Sequence, residues 1–255
     1  MKKVKIYIVA HKRANFPDNK CYVPIQVGAY NKDKFTRITD CTKDNISNKN
    51  SHFCELTATW WIMKNDKSSD VVGITHYRRF FFSKRSRSFD DILSYDRILE
   101  LLNEYDIIVP KKTYLFKYKS IKDAYCNLHK ESDWNLCREI ISEKYPDYLE
   151  AFDSVANARS FYACNMFISS KKIFDLYYEW LFDILFELES RINIDSYDSY
   201  NQRIYGFLSE RLFNVWLVKN NLKLKEERVY NIDKNLLIQD MDYLIKKLIV
   251  GERRK

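Results

Sequence analysis

Glycine and proline are scarce in this 255-residue chain, at four each, which argues against long flexible linkers and low-complexity segments. Cysteine is present but unorganised. Cys21, Cys41, Cys54, Cys126, Cys137 and Cys164 lie scattered, with no C-x-x-C pair and no histidine at metal-site spacing. A zinc cluster and a disulfide framework are therefore disfavoured, and reduced cytosolic thiols are expected. No apolar run reaches the roughly 18 residues of a membrane-spanning helix. The opening Met1-Lys-Lys-Val-Lys-Ile-Tyr-Ile-Val-Ala10 is too short and too charged for a signal peptide and reads as a first strand. Three fingerprints are also missing: G-x-x-x-x-G-K-[ST], G-x-G-x-x-G and G-x-S-x-G. Walker-type NTPases, dinucleotide-binding enzymes and nucleophile-elbow enzymes are disfavoured accordingly.

What is present is ample apolar material, 46% hydrophobic and 16% aromatic residues, enough for a sizeable core. Length and even composition predict one α/β domain over residues 1–230, followed by a basic amphipathic tail over 231–255. A net charge of +8 suits anionic partners: nucleotide diphosphates, nucleic acid or an anionic membrane face.

Strand-like segments at 3–10, 23–29, 70–75, 105–110 and 161–168 alternate with helical patterns at 52–64, 90–104, 120–128, 133–143, 172–188 and 204–219. Such alternation predicts a mixed, mostly parallel sheet with helices on both faces. Ligands of such sheets sit beyond the carboxyl ends of the strands. That rule points to His11, to His76–Arg79, to 110–112 and to the strand holding Asn165.

The most informative stretch is Gly73-Ile-Thr-His-Tyr-Arg-Arg-Phe-Phe-Phe82, where a buried strand ends in an imidazole, a phenol and two guanidiniums. Guanidinium forks match phosphate oxygens through paired, charge-assisted hydrogen bonds. His76, Tyr77, Arg78 and Arg79 form a candidate diphosphate clamp, with Lys84, Arg85 and Arg87 adding positive potential; an Arg pair bridging to core carboxylates is equally compatible with these residues. The polar segment 44–55 offers Asn45, Ser47, Lys49 and Asn50 to a nucleotide, and Glu55 opens the next helix; an ordinary loop before a helix is the plainer reading. Asp240-Met-Asp242 is the single Asp-x-Asp pair, and a solvated helix start accounts for it better than a metal site. Asp90-Asp91 reads as a helix cap.

Tyr125, His129 and Asp133 recur every fourth residue and would share a helical face if that helix is continuous; a surface pair is as compatible. In the apolar stretch 206–216, Glu210 and Arg211 require satisfied partners, as a structural ion pair or as a site.

In order along residues 1–230, the segments P-I-Q-V-G-A (24–29), D-N-I-S-N-K-N (44–50), C-E-L-T-A-T-W-W-I-M-K-N (54–65), V-G-I-T-H-Y-R-R-F-F (72–81), Y-D-I-I-V-P (105–110), N-M-F-I (165–168), E-W-L-F-D-I-L-F-E-L-E (179–189) and G-F-L-S-E-R-L-F-N-V-W (206–216) resemble a family of bacterial capsular and exopolysaccharide glycosyltransferases catalogued as a domain of unknown function. Trp60 and Met63 stand where Tyr and Trp are common in that pattern. The resemblance implies a GT-A-like, Rossmann-like fold and transfer of a hexosyl unit, galactose or galactofuranose, from a UDP-sugar to a lipid-linked glycan in capsule, exopolysaccharide or O-antigen synthesis.

On this reading the donor side comprises His11, Asn45, Lys49, Asn50, Glu55, His76, Tyr77, Arg78, Arg79, Asn165 and Arg211. Glu210, Asp133 and His129 are candidates for the base of an inverting reaction. Cationic side chains are expected in place of a metal cofactor, with manganese or magnesium as alternatives. A cytoplasmic location is expected, with the tail Tyr243–Lys255 lying on an anionic inner leaflet or packing as a last helix. No nucleic-acid partner is expected, although a nucleic-acid-binding protein and an inactive scaffold of polysaccharide assembly are the competing classes.

Overall fold

The computed structural model describes residues 1–252, with side chains through Val250. Residues 253–255 of the expected tail lie outside the described residues.

In chain order the elements are β1 (Val4–Ala10), β2 (Tyr22–Gln26), β3 (Ile38–Thr39), α1 (Asn50–Phe53), α2 (Leu56–Asn65), β4 (Val71–His76), β5 (Arg79–Phe82), α3 (Tyr95–Glu104), β6 (Ile107–Pro110) and β7 (Thr113–Tyr114). There follow α4 (Ile121–Leu128), α5 (Glu131–Lys144), α6 (Leu149–Asn157), β8 (Ser160–Phe161), β9 (Ile168–Ser170), α7 (Lys171–Arg191), α8 (Ile204–Asn220), β10 (Leu224–Asn231) and α9 (Leu236–Glu252). They form two compact units. The first comprises 1–111, 166–178 and 223–236; the second comprises 112–165, 179–222 and 237–255.

The first unit holds the large sheet, ordered β3-β2-β1-β4-β5-β10-β6-β9. β9 also pairs with β4, so β4, β5, β10, β6 and β9 close a small barrel-like ring. The sheet is mixed, but not mostly parallel. β1 runs parallel to β2 and β4, β2 to β3, and β10 to β6; β5 opposes β4 and β10, and β9 opposes β4 and β6. Apolar runs explain the central strands: Ile6, Ile8, Val72, Ile74, Phe80–Phe82 and Ile107–Val109 are fully buried. Gly73 lets them pack closely, since a Cβ there would lie 2.7 Å from side chains of both Ile6 and Ile168.

Several expected elements change form. The helix expected over 52–64 breaks at Cys54, whose φ of 52° leaves the helical region. The strand expected over 161–168 divides into β8 and β9, because Cys164 and Asn165 are consecutive left-handed residues with φ of 77° and 48°. The helix expected from residue 90 begins at Tyr95, and its cap is Ser94. Ser88 caps the short turn at Phe89–Asp91, so Asp90 and Asp91 are not the capping residues.

The second unit is helical apart from the β7–β8 pair. α8 is buried on nearly all sides, which marks an interior helix more than an amphipathic surface one. Asn214 on α8 brackets Tyr162, accepting from its N–H at 2.8 Å and donating to its carbonyl at 3.0 Å.

Candidate functional site

The carboxyl ends of β1, β2 and β4 lie side by side, with Ala10 opposite Gln26 and Val9 opposite His76. Here H-Y-R-R is a tight hairpin: His76 pairs with Arg79, and Tyr77 and Arg78 form the turn. The Tyr77 N–H donates to the Val9 carbonyl at 3.1 Å, pinning the turn to β1. His11 meets the Tyr77 ring edge-on at 5.2 Å, the Arg78 guanidinium lies 4.9 Å from its centre, and Lys12 Nζ lies 6.0 Å from it. A phenol face thus carries guanidinium and ammonium groups at cation–π range.

Arg78 does not turn into the core. Its Nε donates to Asp233 at 2.9 Å, with both side chains substantially exposed, at 42% and 55%. Its carbonyl accepts from Ile232 N–H at 2.9 Å. Arg79 is exposed at the start of β5, and no ion pair holds it among the described residues. The edge therefore presents Lys12, Arg78 and Arg79, of which Arg78 is paired with Asp233. Of the basic residues that follow, Lys84 pairs with Asp91 at 2.8 Å, and Arg87 donates to the Lys234 carbonyl at 3.3 Å.

The polar loop beside this edge is organised around Asp40, which the sequence did not single out. Fully buried, its carboxylate accepts from the N–H groups of Gly28 and Ala29 at 2.7 and 3.0 Å, from Ser47 Oγ at 2.6 Å, and from Thr57 Oγ1. Asn50 is part of the same lock: its amide donates to the Cys54 carbonyl at 2.7 Å and to Thr57 Oγ1 at 3.1 Å. Gly28 is required there, with φ of +60° and a position where a Cβ would stand 2.3 Å from Asn50 Oδ1. Asn45 closes a local turn, accepting from Ser47 N–H at 3.2 Å and donating to the Lys43 carbonyl at 2.8 Å. Lys49 sits 5.9 Å from the Phe53 ring, and Glu55 is the half-buried residue preceding α2. These contacts assign Asn45 and Asn50 structural work at the place where the sequence suggested nucleotide contacts.

In the second unit, the two helices expected at 120–128 and 133–143 are separate, so the condition for Tyr125, His129 and Asp133 to share one helical face is not met. α4 ends at Leu128, His129 is its C-cap, and Lys130 precedes α5. Asp133 accepts from the Tyr197 hydroxyl at 2.6 Å and from Ser132 Oγ at 3.3 Å; burial raises its pKa, against those hydrogen bonds. His129 is buried between aromatic rings, stacked 4.2 Å from Phe207 and 5.6 Å from Tyr200. Burial lowers its pKa, so the imidazole is neutral near pH 7. Its Nδ1 lies 2.9 Å from Asn201 Oδ1, and Asn201 Nδ2 donates to Asp198 at 2.6 Å.

Glu210 and Arg211 sit together on α8. Glu210 accepts from the Cys164 N–H at 3.2 Å and pairs with Arg211 at 3.2 Å. Arg211 is buried, donates to the Phe207 carbonyl at 2.9 Å, and lies 5.7 and 5.3 Å from the Tyr125 and Phe161 rings. Among the described residues nothing accepts from Arg211 Nε, and the Tyr125 hydroxyl has no hydrogen-bond partner. Buried orphans of this kind mark a strained or ligand-facing position. Asn165, carried on the left-handed turn, donates to Ser209 Oγ at 2.8 Å. Asp242, the second acid of the Asp-x-Asp pair, is on α9 and bonds Lys246 at 2.6 Å.

Sequence reading missed Lys12, Asp233, Asn201 and Asp198. The Asp198-x-x-Asn201 spacing was the available signal for the last two, since it places Asp198 to accept from the N–H groups of Tyr200 and Asn201.

Among solved structures, the chain is similar to the apo structure of WbbM, a bifunctional glycosyltransferase, at 32% identity and a TM-score of 0.83, over 89% of this chain and 45% of that one. The chain therefore spans about half the length of that protein. A search of curated proteins finds no match. The family model described as a domain of unknown function, DUF4422, matches residues 5–221. A match over that much of the sequence makes the chain a member of the DUF4422 family.

Proposed function

We propose that this chain is a GT-A-like glycosyltransferase that moves a hexosyl unit, galactose or galactofuranose, from a UDP-sugar to a lipid-linked glycan of a bacterial surface polysaccharide. The observation that carries the reading is the cationic strand edge, with Lys12 and Arg78 at the Tyr77 ring and exposed Arg79 at the start of β5. Its similarity to a glycosyltransferase structure supports the same class.

In the proposed reaction the acceptor hydroxyl oxygen attacks the anomeric carbon while the bond from that carbon to the diphosphate breaks. The electron pair leaves on the nucleoside diphosphate, and Arg78 and Arg79 stabilise the charge that develops there. The hydroxyl proton passes to a base, giving inversion. Of the three candidates, His129 is favoured over Asp133 and Glu210. Asp133 is enclosed by Tyr197 and Ser132, and Glu210 is committed to Arg211 and a backbone amide. Neutral His129 has an accepting nitrogen at pH 7. Guanidinium groups take the part that a divalent metal plays in other transferases.

The test is a transfer assay with radiolabelled UDP-galactose and UDP-galactofuranose on polyprenyl-diphosphate-linked acceptors, with manganese or with EDTA. Product formation insensitive to EDTA supports the reading. No turnover of any UDP-, GDP-, dTDP- or CMP-sugar would defeat the enzymatic claim, and loss on chelation would defeat its metal-free form.

A further inference from the structure

The helix α9 is inside out. Leu237, Ile238, Met241, Leu244, Ile245 and Leu248 are 51–67% exposed, although their spacing is that of an apolar helix face. The opposite side turns towards the protein: Val250 is buried, the Tyr243 ring meets Tyr114 edge-on at 5.9 Å, and Lys246 Nζ lies 5.8 Å from the Phe116 ring. Twelve exposed large apolar side chains occur among the described residues, and six of them are on this one helix. Scattered exposed apolar residues need no explanation, but a contiguous stripe implies an apolar partner.

Charge indicates which partner. The helix itself is not basic, since Asp240, Asp242 and Glu252 outnumber Lys246 and Lys247, and Asp242 is bonded to Lys246. The positive charge lies alongside. The segment 112–119, which touches α9 through Tyr114 and Phe116, carries Lys112, Lys117 and Lys119 without an acid. Lys117 and Lys119 are exposed. Lysine beside tyrosine and phenylalanine at the margin of an apolar stripe is the composition of a bilayer interface. The stripe is about 18 Å long, which is little surface for a stable dimer but enough for a helix lying flat in headgroups.

We propose that the outward apolar face of α9, flanked by the lysines of the 112–119 segment, seats this protein on an anionic lipid surface. The inference is independent of the transfer reaction and of the identity of its base.

The experiment is flotation of the full chain with vesicles of phosphatidylcholine alone and of phosphatidylcholine mixed with phosphatidylglycerol, at low and high sodium chloride. Wild type is expected to float with the anionic vesicles and less so in salt. The triple variant Met241→Gln/Ile245→Gln/Leu248→Gln is expected to lose about tenfold or more of that partitioning. Its circular dichroism and Tm should be unchanged, because all three side chains are exposed. A separate variant, Leu244→Trp, should gain blue-shifted emission over wild type when anionic vesicles are added. Lack of wild-type flotation, equal flotation of the triple variant, or equal binding to neutral vesicles would overturn the proposal. So would a wild-type dimer that ignores vesicles and dissociates in the triple variant, since a second copy would then be the occupant.

Discussion

Asn201 holds His129 through a 2.9 Å contact from Oδ1 to Nδ1, and Asp198 holds Asn201 through a 2.6 Å bond to its amide nitrogen. The direction of the second bond fixes the first. With the Asn201 amide nitrogen donating to a carboxylate, its oxygen faces the imidazole and accepts. Nδ1 of His129 therefore carries the proton, and Nε2 carries the lone pair.

If that lone pair takes the acceptor's proton, His129→Gln lowers kcat by about a hundredfold or more while donor affinity stays near wild type. The pH profile adds a sharper check. Burial lowers the His129 pKa, so the acid limb of kcat falls below the ordinary histidine value of about 6.5. The Asn201 bond works in the opposite direction, favouring the protonated ring. Asn201→Ala should therefore lower kcat and move the acid limb further towards acid. A limb unmoved in Asn201→Ala, or near-normal turnover in His129→Gln, removes His129 from the reaction.

The Arg78–Asp233 pair gives two substitutions with opposite expected signs. Exposed ion pairs contribute about 0.2–1 kcal/mol, so Asp233→Asn should change stability little. It should also free Arg78 and tighten nucleoside diphosphate binding, whereas Arg78→Ala weakens it. Calorimetric titration of the two variants decides the point. Equal affinities in both would show that the pair only staples the hairpin to the segment after β10.

Asp66 supports a stability prediction at the other end of β1. Its carboxylate, 1% exposed, accepts from Lys5 Nζ at 3.0 Å, the Tyr7 hydroxyl at 2.9 Å, the Ser68 N–H at 3.1 Å and Ser69 Oγ. Burial pushes its pKa up, but the hydrogen bonds from Ser69, Lys5, Tyr7 and Ser68 outweigh it and hold the pKa well below the usual carboxylate range. A depressed folded pKa gives stability that is full above the unfolded value of about 4 and lost as pH falls through the folded one. Asp66→Ala should cost about 3 kcal/mol at pH 7. Urea unfolding should show the gap between wild type and variant constant down to about pH 5 and shrinking below about pH 4. A gap that does not change with pH would mean the carboxylate's charge is not the source.

The central strands were readable because β1, β4 and β6 are short apolar runs between polar segments, and α4, α5, α7 and α8 followed from their periodicity. β10 was not readable. Leu224–Asn231 includes Lys225, Glu226, Glu227 and Arg228 and is only partly buried, so it lacks the apolar signature of a paired strand; its place in the sheet comes from β5 on one side and β6 on the other. The H-Y-R-R edge was legible as chemistry but not as a hairpin, because no glycine or asparagine marks its turn. Asp40 and Asp66 were hidden for a related reason: Asp40 gathers partners up to 17 residues away and Asp66 up to 61, and only the folded chain makes a lone aspartate into a hub. Asp133 and His129 were paired by a spacing that the break between α4 and α5 removes.

Whether guanidinium groups at the end of β4 hold a pyrophosphate is decided by calorimetric titration of UDP into wild type and into the double variant Arg78→Ala/Arg79→Ala. Saturable binding to wild type that weakens with added salt is expected, with at least about tenfold weaker binding to the double variant. Equal UDP affinity in both proteins would contradict it.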